Sequence, residues 1–165
     1  MRRILAGLAF GVVLLTAGCR PKQTAPPITA DFSCSFSAQY HEMAVAGTLI
    51  RRSAGTLELS FTEPPTLEGL TAVWDGERVT LAMLGLTFEV DPDDLPEGAL
   101  GEAVVDALDR VFRGEIDGRD EGETTIYEGT GENGTYILVC DRESGRPISL
   151  SVPQLSLSAR FFEYS

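Results

Sequence analysis

The chain has 165 residues, with 13 Lys and Arg against 25 Asp and Glu and a formal net charge of −12. That length is the scale of one compact domain, and that charge repels a phosphate backbone, so nucleic acid is excluded as a partner. With 43% hydrophobic and 23% charged residues and a mean hydropathy of +0.02, the composition is that of a chain that buries a core.

Residues 1–18 read as a signal peptide. Met1-Arg2-Arg3 is a charged n-region, Ile4 to Leu15 an apolar h-region, and Thr16-Ala17-Gly18 a small-residue cleavage site before Cys19. The apolar run is shorter than the ~20 residues of a permanent bilayer span. Small residues followed by Cys19 resemble the lipobox of bacterial lipoproteins, with Thr16 standing where leucine is commonest. That resemblance implies that the Cys19 thiol is diacylated, for example with palmitate, and becomes the mature N-terminus. Arg2 and Arg3 leave with the signal, so the mature chain is more acidic still. Residues 19–31 then form a tether, with Pro21, Pro26 and Pro27 and no apolar period. The expected place is the extracytoplasmic face of a cell membrane, inner or outer, held by acyl chains worth ~0.8 kcal/mol per buried methylene.

From residue 32 the pattern is that of a single antiparallel β domain over 32–165. Phe32, Cys34, Phe36, Ala38 and Tyr40 alternate with Ser33, Ser35, Ser37 and Gln39, and the period continues through Val45, Gly47 and Leu49. After a turn at Ser53-Ala54-Gly55, Leu57, Leu59 and Phe61 face one way and Glu58, Ser60 and Thr62 the other. Leu70, Ala72 and Trp74 lead to Asp75-Gly76, a two-residue hairpin signal, and Val79, Leu81 and Met83 return, followed by Leu86, Phe88 and Val90. Further strands fall at 124–128, 135–141, 147–152 and 155–163, for a total of nine or ten.

One helix is predicted at about 95–113. Asp94-Leu95-Pro96-Glu97 has capping-box spacing, Leu100, Val104, Leu108 and Val111 recur at helical spacing, and Gly114 follows as a stop. Residues 89–123 are rich in acids and contain only Arg110, Arg113 and Arg119 as bases, which reads as a solvated acidic face. A sheet of nine strands at ~4.8 Å spacing is ~40 Å wide, while a helix is ~10 Å across, so one helix cannot cover a flat sheet. The sheet must curl, either into a barrel or sandwich filled by its own side chains or into an open half-barrel whose concave face takes an apolar ligand. The fold class is therefore mainly β (α+β), a curled antiparallel sheet with one covering helix.

The order of lipobox, tether, Gly47-Thr48-Leu49 and Gly55-Thr56-Leu57-Glu58-Leu59 hairpins, Pro-rich break, Leu70-Thr71-Ala72-Val73-Trp74-Asp75-Gly76 and terminal Arg146-Pro147-Ile148-Ser149-Leu150 hairpin resembles one superfamily. It is that of the lipoprotein-localisation carriers and receptors and their lipid-binding lipoprotein relatives. The resemblance implies an unclosed β-barrel with helices as a lid over an acyl-chain cavity. This chain differs in having no helix before the first strand and one lid helix instead of several.

Motifs that carry chemistry elsewhere have plainer readings here. Gly129-Thr130-Gly131-Glu132-Asn133-Gly134 matches the dinucleotide glycine pattern but precedes the β-rich Thr135-Tyr136-Ile137-Leu138-Val139, so it reads as a hairpin turn. One histidine, His41, cannot supply a His-pair zinc site, and no Gly-x-Ser-x-Gly elbow occurs. The Asp91, Asp93, Asp94 and Asp117, Asp120, Glu121 runs lack calcium-loop spacing. No catalytic residue, metal or cofactor is expected. Cys34 and Cys140, on apolar strand positions of an exported protein, read as a disulfide worth up to ~4–5 kcal/mol, with two buried thiols as the alternative.

Two functions follow. The first is binding of a lipid or acyl chain in the concave face, lined by Phe36, Leu57, Leu59, Phe61, Trp74, Leu81 and Phe88. The second is a non-enzymatic envelope lipoprotein with a filled core that acts through contacts with a protein partner. A cavity emptied of side chains would favour the first, a filled interior the second.

Overall fold

A computed structural model describes residues 31–52, 56–95 and 98–165; the signal peptide, Cys19 and nearly all of the tether lie outside the described residues. The alternation produces eleven strands in one antiparallel sheet. In chain order they are β1 (Phe32–Tyr40), β2 (Met43–Arg51), β3 (Leu57–Glu63), β4 (Thr71–Trp74), β5 (Val79–Met83) and β6 (Leu86–Val90). Then come a helix α1 (Leu100–Phe112) and β7 (Gly118–Glu121), β8 (Thr124–Gly131), β9 (Gly134–Asp141), β10 (Pro147–Val152) and β11 (Leu157–Phe162).

The spatial order is β6-β5-β4-β3-β2-β1-β11-β10-β9-β8-β7. The sheet is thus two meanders, β1–β6 and β7–β11, joined where the first strand pairs with the last, Phe36 opposite Phe161 and Ala38 opposite Ala159. This order fixes the place of the helix. β6 and β7 are neighbours in sequence but the two outer edges of the sheet, so the segment between them must cross from edge to edge. It carries α1 over the concave face, and the sheet curls around it without closing.

The helix is shorter than its sequence suggested. Asp94 ends a separate 3-10 turn (Pro92–Asp94), which is capped by the Asp91 carboxylate accepting from the Asp93 amide at 3.1 Å. Gly98 then takes a φ of +78°, outside the helical region, so α1 starts beyond it with Ala99 as an N-cap that makes no side-chain bond. Tyr40 fixes the lead-in by donating its hydroxyl to the Gly98 carbonyl at 2.7 Å. At the other end Gly114, at φ +69°, stops the helix as expected.

The strand β7 was not expected. Gly-Arg-Asp-Glu has no apolar period; it is a strand because its backbone pairs with β8, Arg119 opposite Ile126 and Asp120 opposite Thr125. The sharpest turn also lies elsewhere than expected. Asp75-Gly76 opens a four-residue connection in which Trp74 pairs with Val79, and the Asp75 carboxylate accepts from the amides of Glu77 and Arg78 at 2.9 and 2.7 Å. These bonds hold the Asp75 carboxyl below its ordinary range. The two-residue hairpin is Leu84-Gly85, between Met83 and Leu86, with φ of +52° and +81°. Positive φ at both positions is the type I′ signature.

The core lies between α1 and the concave face. Ala103, Val104, Ala107, Leu108 and Val111 are buried against Phe36, Leu49, Leu57, Leu59, Leu138, Leu150, Leu157 and Phe161. Small residues let the helix come close. A side chain at Gly101 would strike the Trp74 ring, and one at Gly131 would strike Asp106.

Candidate functional site: the uncovered end of the concave face

Among the described residues the interior beneath α1 is closely packed. Among the described residues, the apolar cavity lined by Phe36, Leu49, Leu59, Leu100, Val104 and Phe161 measures about 10 Å³. That holds one water at most, whereas a pocket for a ligand the size of a fatty acid runs to hundreds of Å³. Phe36, Leu57, Leu59 and Trp74 are buried in the core in this conformation.

The other three expected lining residues lie where the helix does not reach. α1 packs on β8 and β9 and extends across the sheet as far as Trp74 on β4. Eleven strands at ~4.8 Å leave roughly 50 Å of arc against a helix ~10 Å across, so one end stays open. Register shows it directly. Leu49, Leu59, Ala72, Leu81 and Phe88 stand opposite one another on successive strands β2 to β6. The first three are buried, Leu81 is half-buried, and Phe88 is 59% exposed. The neighbouring row repeats the gradient, with Phe61 and Met83 half-buried and Leu86 61% exposed. Phe88 thus caps an open apolar shelf on the concave side.

Beyond the shelf is the hairpin tip. Leu84 is 89% exposed and holds a left-handed φ where asparagine is the favoured residue. A leucine strained and solvated at once is unfavourable on both counts. The charge is acidic at the other end of this hairpin, where Val79 pairs with Val90: Asp75 and Glu77 in the β4–β5 connection and Asp91, Asp93 and Asp94 after β6 lie there, next to Glu89 on β6, and the nearby base, Arg78, already meets Glu89 at 2.8 Å.

Inside, a different feature went unforeseen. Arg51 is 5% exposed, and its Nη2 meets Asp109 Oδ1 on α1 while its guanidinium lies 4.5 Å from the Phe112 ring centroid. Its Nε and Nη1, like Trp74 Nε1, are buried without an acceptor. Phase alone identifies the position: Val45, Gly47, Leu49 and Arg51 share one face of β2.

The expected bridge between Cys34 and Cys140 is not formed; both are free, buried thiols. β11 and β10 lie between β1 and β9, and three strand spacings place the two Cα atoms roughly 14 Å apart along the sheet, against a disulfide limit of ~7 Å. Burial pushes the Cys34 thiol up to about 11 and Cys140 to about 12, and the Tyr164 hydroxyl, within hydrogen-bonding reach of Cys34, donates to the Pro147 carbonyl. Because the neutral thiols are favoured only in the folded chain, their contribution is complete below their ordinary value of 9.0 and is lost as pH rises through about 11 and 12. Maleimide labelling followed by intact-mass measurement should add nothing to either thiol at pH 7.5 in the native protein and label both after denaturation.

Among the described residues no group of three or more His, Cys, Asp or Glu side chains is arranged to hold a metal. His41 occupies the β1–β2 turn at φ +51°, against Tyr40, and is exposed. Glu132 and Asn133 connect Gly131 to Gly134 as a hairpin, so the glycine pattern there makes a turn as expected.

No protein-family model matches the chain, and no curated protein matches it. Solved structures do. An uncharacterized conserved protein from Thermus thermophilus is similar with a TM-score of 0.55 at 12% identity, over 86% of this chain and 82% of that one. A chain in the complex of the CwlD amidase from Clostridioides difficile with the GerS lipoprotein has a TM-score of 0.45 at 12% identity, over 75% and 76%. A LolA superfamily protein, NE2245 from Nitrosomonas europaea, has a TM-score of 0.37 at 11% identity, over 85% of each chain. At these identities the likeness is one of fold.

Proposed function

We infer that this chain is an exported, lipid-anchored protein without catalytic activity, which works by docking a protein partner on the uncovered end of its concave face. The observation that carries this reading is a filled interior beside an exposed apolar shelf: about 10 Å³ of space under α1, and Leu84, Leu86 and Phe88 largely in solvent. Contiguous exposed apolar surface with a polar rim marks interaction sites. The lipobox-like motif at Cys19 supports the anchor.

The test places a photo-crosslinking amino acid at Phe88 and, as a control, at Ser33 on the opposite face, in cells of the source organism. A discrete protein adduct from the first position and none from the second is the expected result. Equal adducts, or none, would overturn the reading. Loss of membrane fractionation in Cys19→Ala tests the anchor separately.

A second reading, uptake of an acyl chain, is favoured by the unpaired buried donors of Arg51 and Trp74 under α1, which an ester or carboxylate oxygen would satisfy. It requires α1 to lift. Native mass spectrometry of residues 20–165, exported and purified without detergent, would then show several hundred daltons of extractable lipid; the bare mass would dismiss it.

A further inference from the structure

The two edges of the sheet are finished differently. β7 is four residues long and carries Arg119, Asp120 and Glu121, with Arg119 paired to Glu121 at 2.8 Å. Short, charged edge strands resist further pairing. β6 has no such protection: Leu86-Thr87-Phe88-Glu89-Val90 contains one charge, no proline and no bulge against β5.

The hairpin register determines which backbone groups are free. In a two-residue type I′ hairpin the closing residues, here Met83 and Leu86, exchange hydrogen bonds, and the bonded pairs recur at every second position. Phe88 and Val90 therefore bond to β5. Thr87 and Glu89 turn their N–H and C=O groups outward, away from the sheet. Leu86 and Phe88 meanwhile offer their side chains on the concave side of the same edge.

We propose that β6 is a strand-addition site for an extended segment of a protein partner in which apolar residues alternate with Lys or Arg. This rests on the protein-docking reading above and gives its mode and partner chemistry. The backbone of the incoming strand bonds to Thr87 and Glu89, its apolar side chains meet Leu86, Phe88 and the shelf of Leu81 and Met83, and its other face is basic. The charge follows from the Val90 end of β6, where six carboxylates, Asp75, Glu77, Glu89, Asp91, Asp93 and Asp94, outweigh Arg78. Addition of a strand gives main-chain affinity, and alternate side chains give specificity. Charge of opposite sign steers the encounter, and like charge excludes acidic segments.

The probe is a nine-residue peptide alternating lysine with valine and phenylalanine, titrated against residues 20–165 by calorimetry and by amide hydrogen exchange. Binding should slow exchange at Thr87 and Glu89 and not on β7. Thr87→Pro removes an outward N–H without touching the β5 ladder, so it should lower affinity about tenfold while leaving the unfolding midpoint nearly unchanged. A peptide N-methylated on one edge, or with glutamate in place of lysine, should lose binding to a similar degree. Full binding to the N-methylated peptide or to Thr87→Pro would overturn strand addition, and full binding of the glutamate peptide would overturn the charge argument. A concentration-dependent dimer abolished by Thr87→Pro would assign the edge to a second copy instead, and adsorption to phosphatidylcholine vesicles in place of peptide would assign it to lipid. Failure here with persistent Phe88 adducts in cells would leave the docking reading standing and remove only its mode.

Discussion

Alanine at Asp109 is expected to lower the stability of the fold by about 3–5 kcal/mol, because it leaves the Arg51 guanidinium buried without a counter-charge. Arg51 is 5% exposed and lies over Phe112, so little of its side chain meets water while α1 stays docked. A lysine in this position could shed its proton; a guanidinium does not. Relief therefore comes only by lifting the end of the helix that carries Asp109 and Phe112. Urea denaturation of the variant measures the loss. The double change Arg51→Met with Asp109→Leu removes both charges and should recover most of it, since a buried ion pair is often no better than apolar side chains of similar volume. Arg78→Ala, which breaks the exposed pair with Glu89, should cost under about 1 kcal/mol. A loss below about 1 kcal/mol in Asp109→Ala would mean that the guanidinium finds water unaided and that the pair does not hold the helix down.

How far the sequence reveals this arrangement depends on which force shapes each element. Strands β1 and β11 are legible because apolar residues alternate along them and are buried, as in Phe32, Cys34, Phe36 and Ala38. The helix is legible for the same reason at its own period, but its start is not, because Gly98 overrides the capping spacing of Asp94 and Glu97. β7 is invisible to pattern because only backbone pairing makes it a strand. Leu84-Gly85 is hidden because leucine is a poor turn residue, and the hairpin is closed by its flanking strands instead. At the site, the apolar character of Phe61, Leu81 and Phe88 is plain, but their exposure depends on how far one helix extends across eleven strands. The missing disulfide has the same origin. Chemistry suggested Cys34 with Cys140, and the strand order, which alternation does not encode, keeps them apart.

Valine at Gly101 should produce the second large effect and show whether α1 behaves as a lid. A Cβ at this position falls against the six-membered ring of Trp74, a ring packed in the core, so either the ring or the helix must move. Overpacking of this kind costs typically ~1–3 kcal/mol. Trp74 is the one tryptophan in the chain and is 8% exposed, which makes its emission a report on this contact alone. Two results are distinguishable. If the helix lifts, Trp74 emission should shift to the red, 8-anilinonaphthalene-1-sulfonate should bind, and purified protein should carry lipid that the wild type lacks. If only the ring turns, emission changes little and the dye stays out, while stability still falls. Trp74→Leu in the same chain should restore stability, because it clears the space that valine needs. Helix displacement with lipid uptake would give the acyl-binding reading a physical route through the filled interior; ring movement alone would confine binding to the β6 end of the sheet.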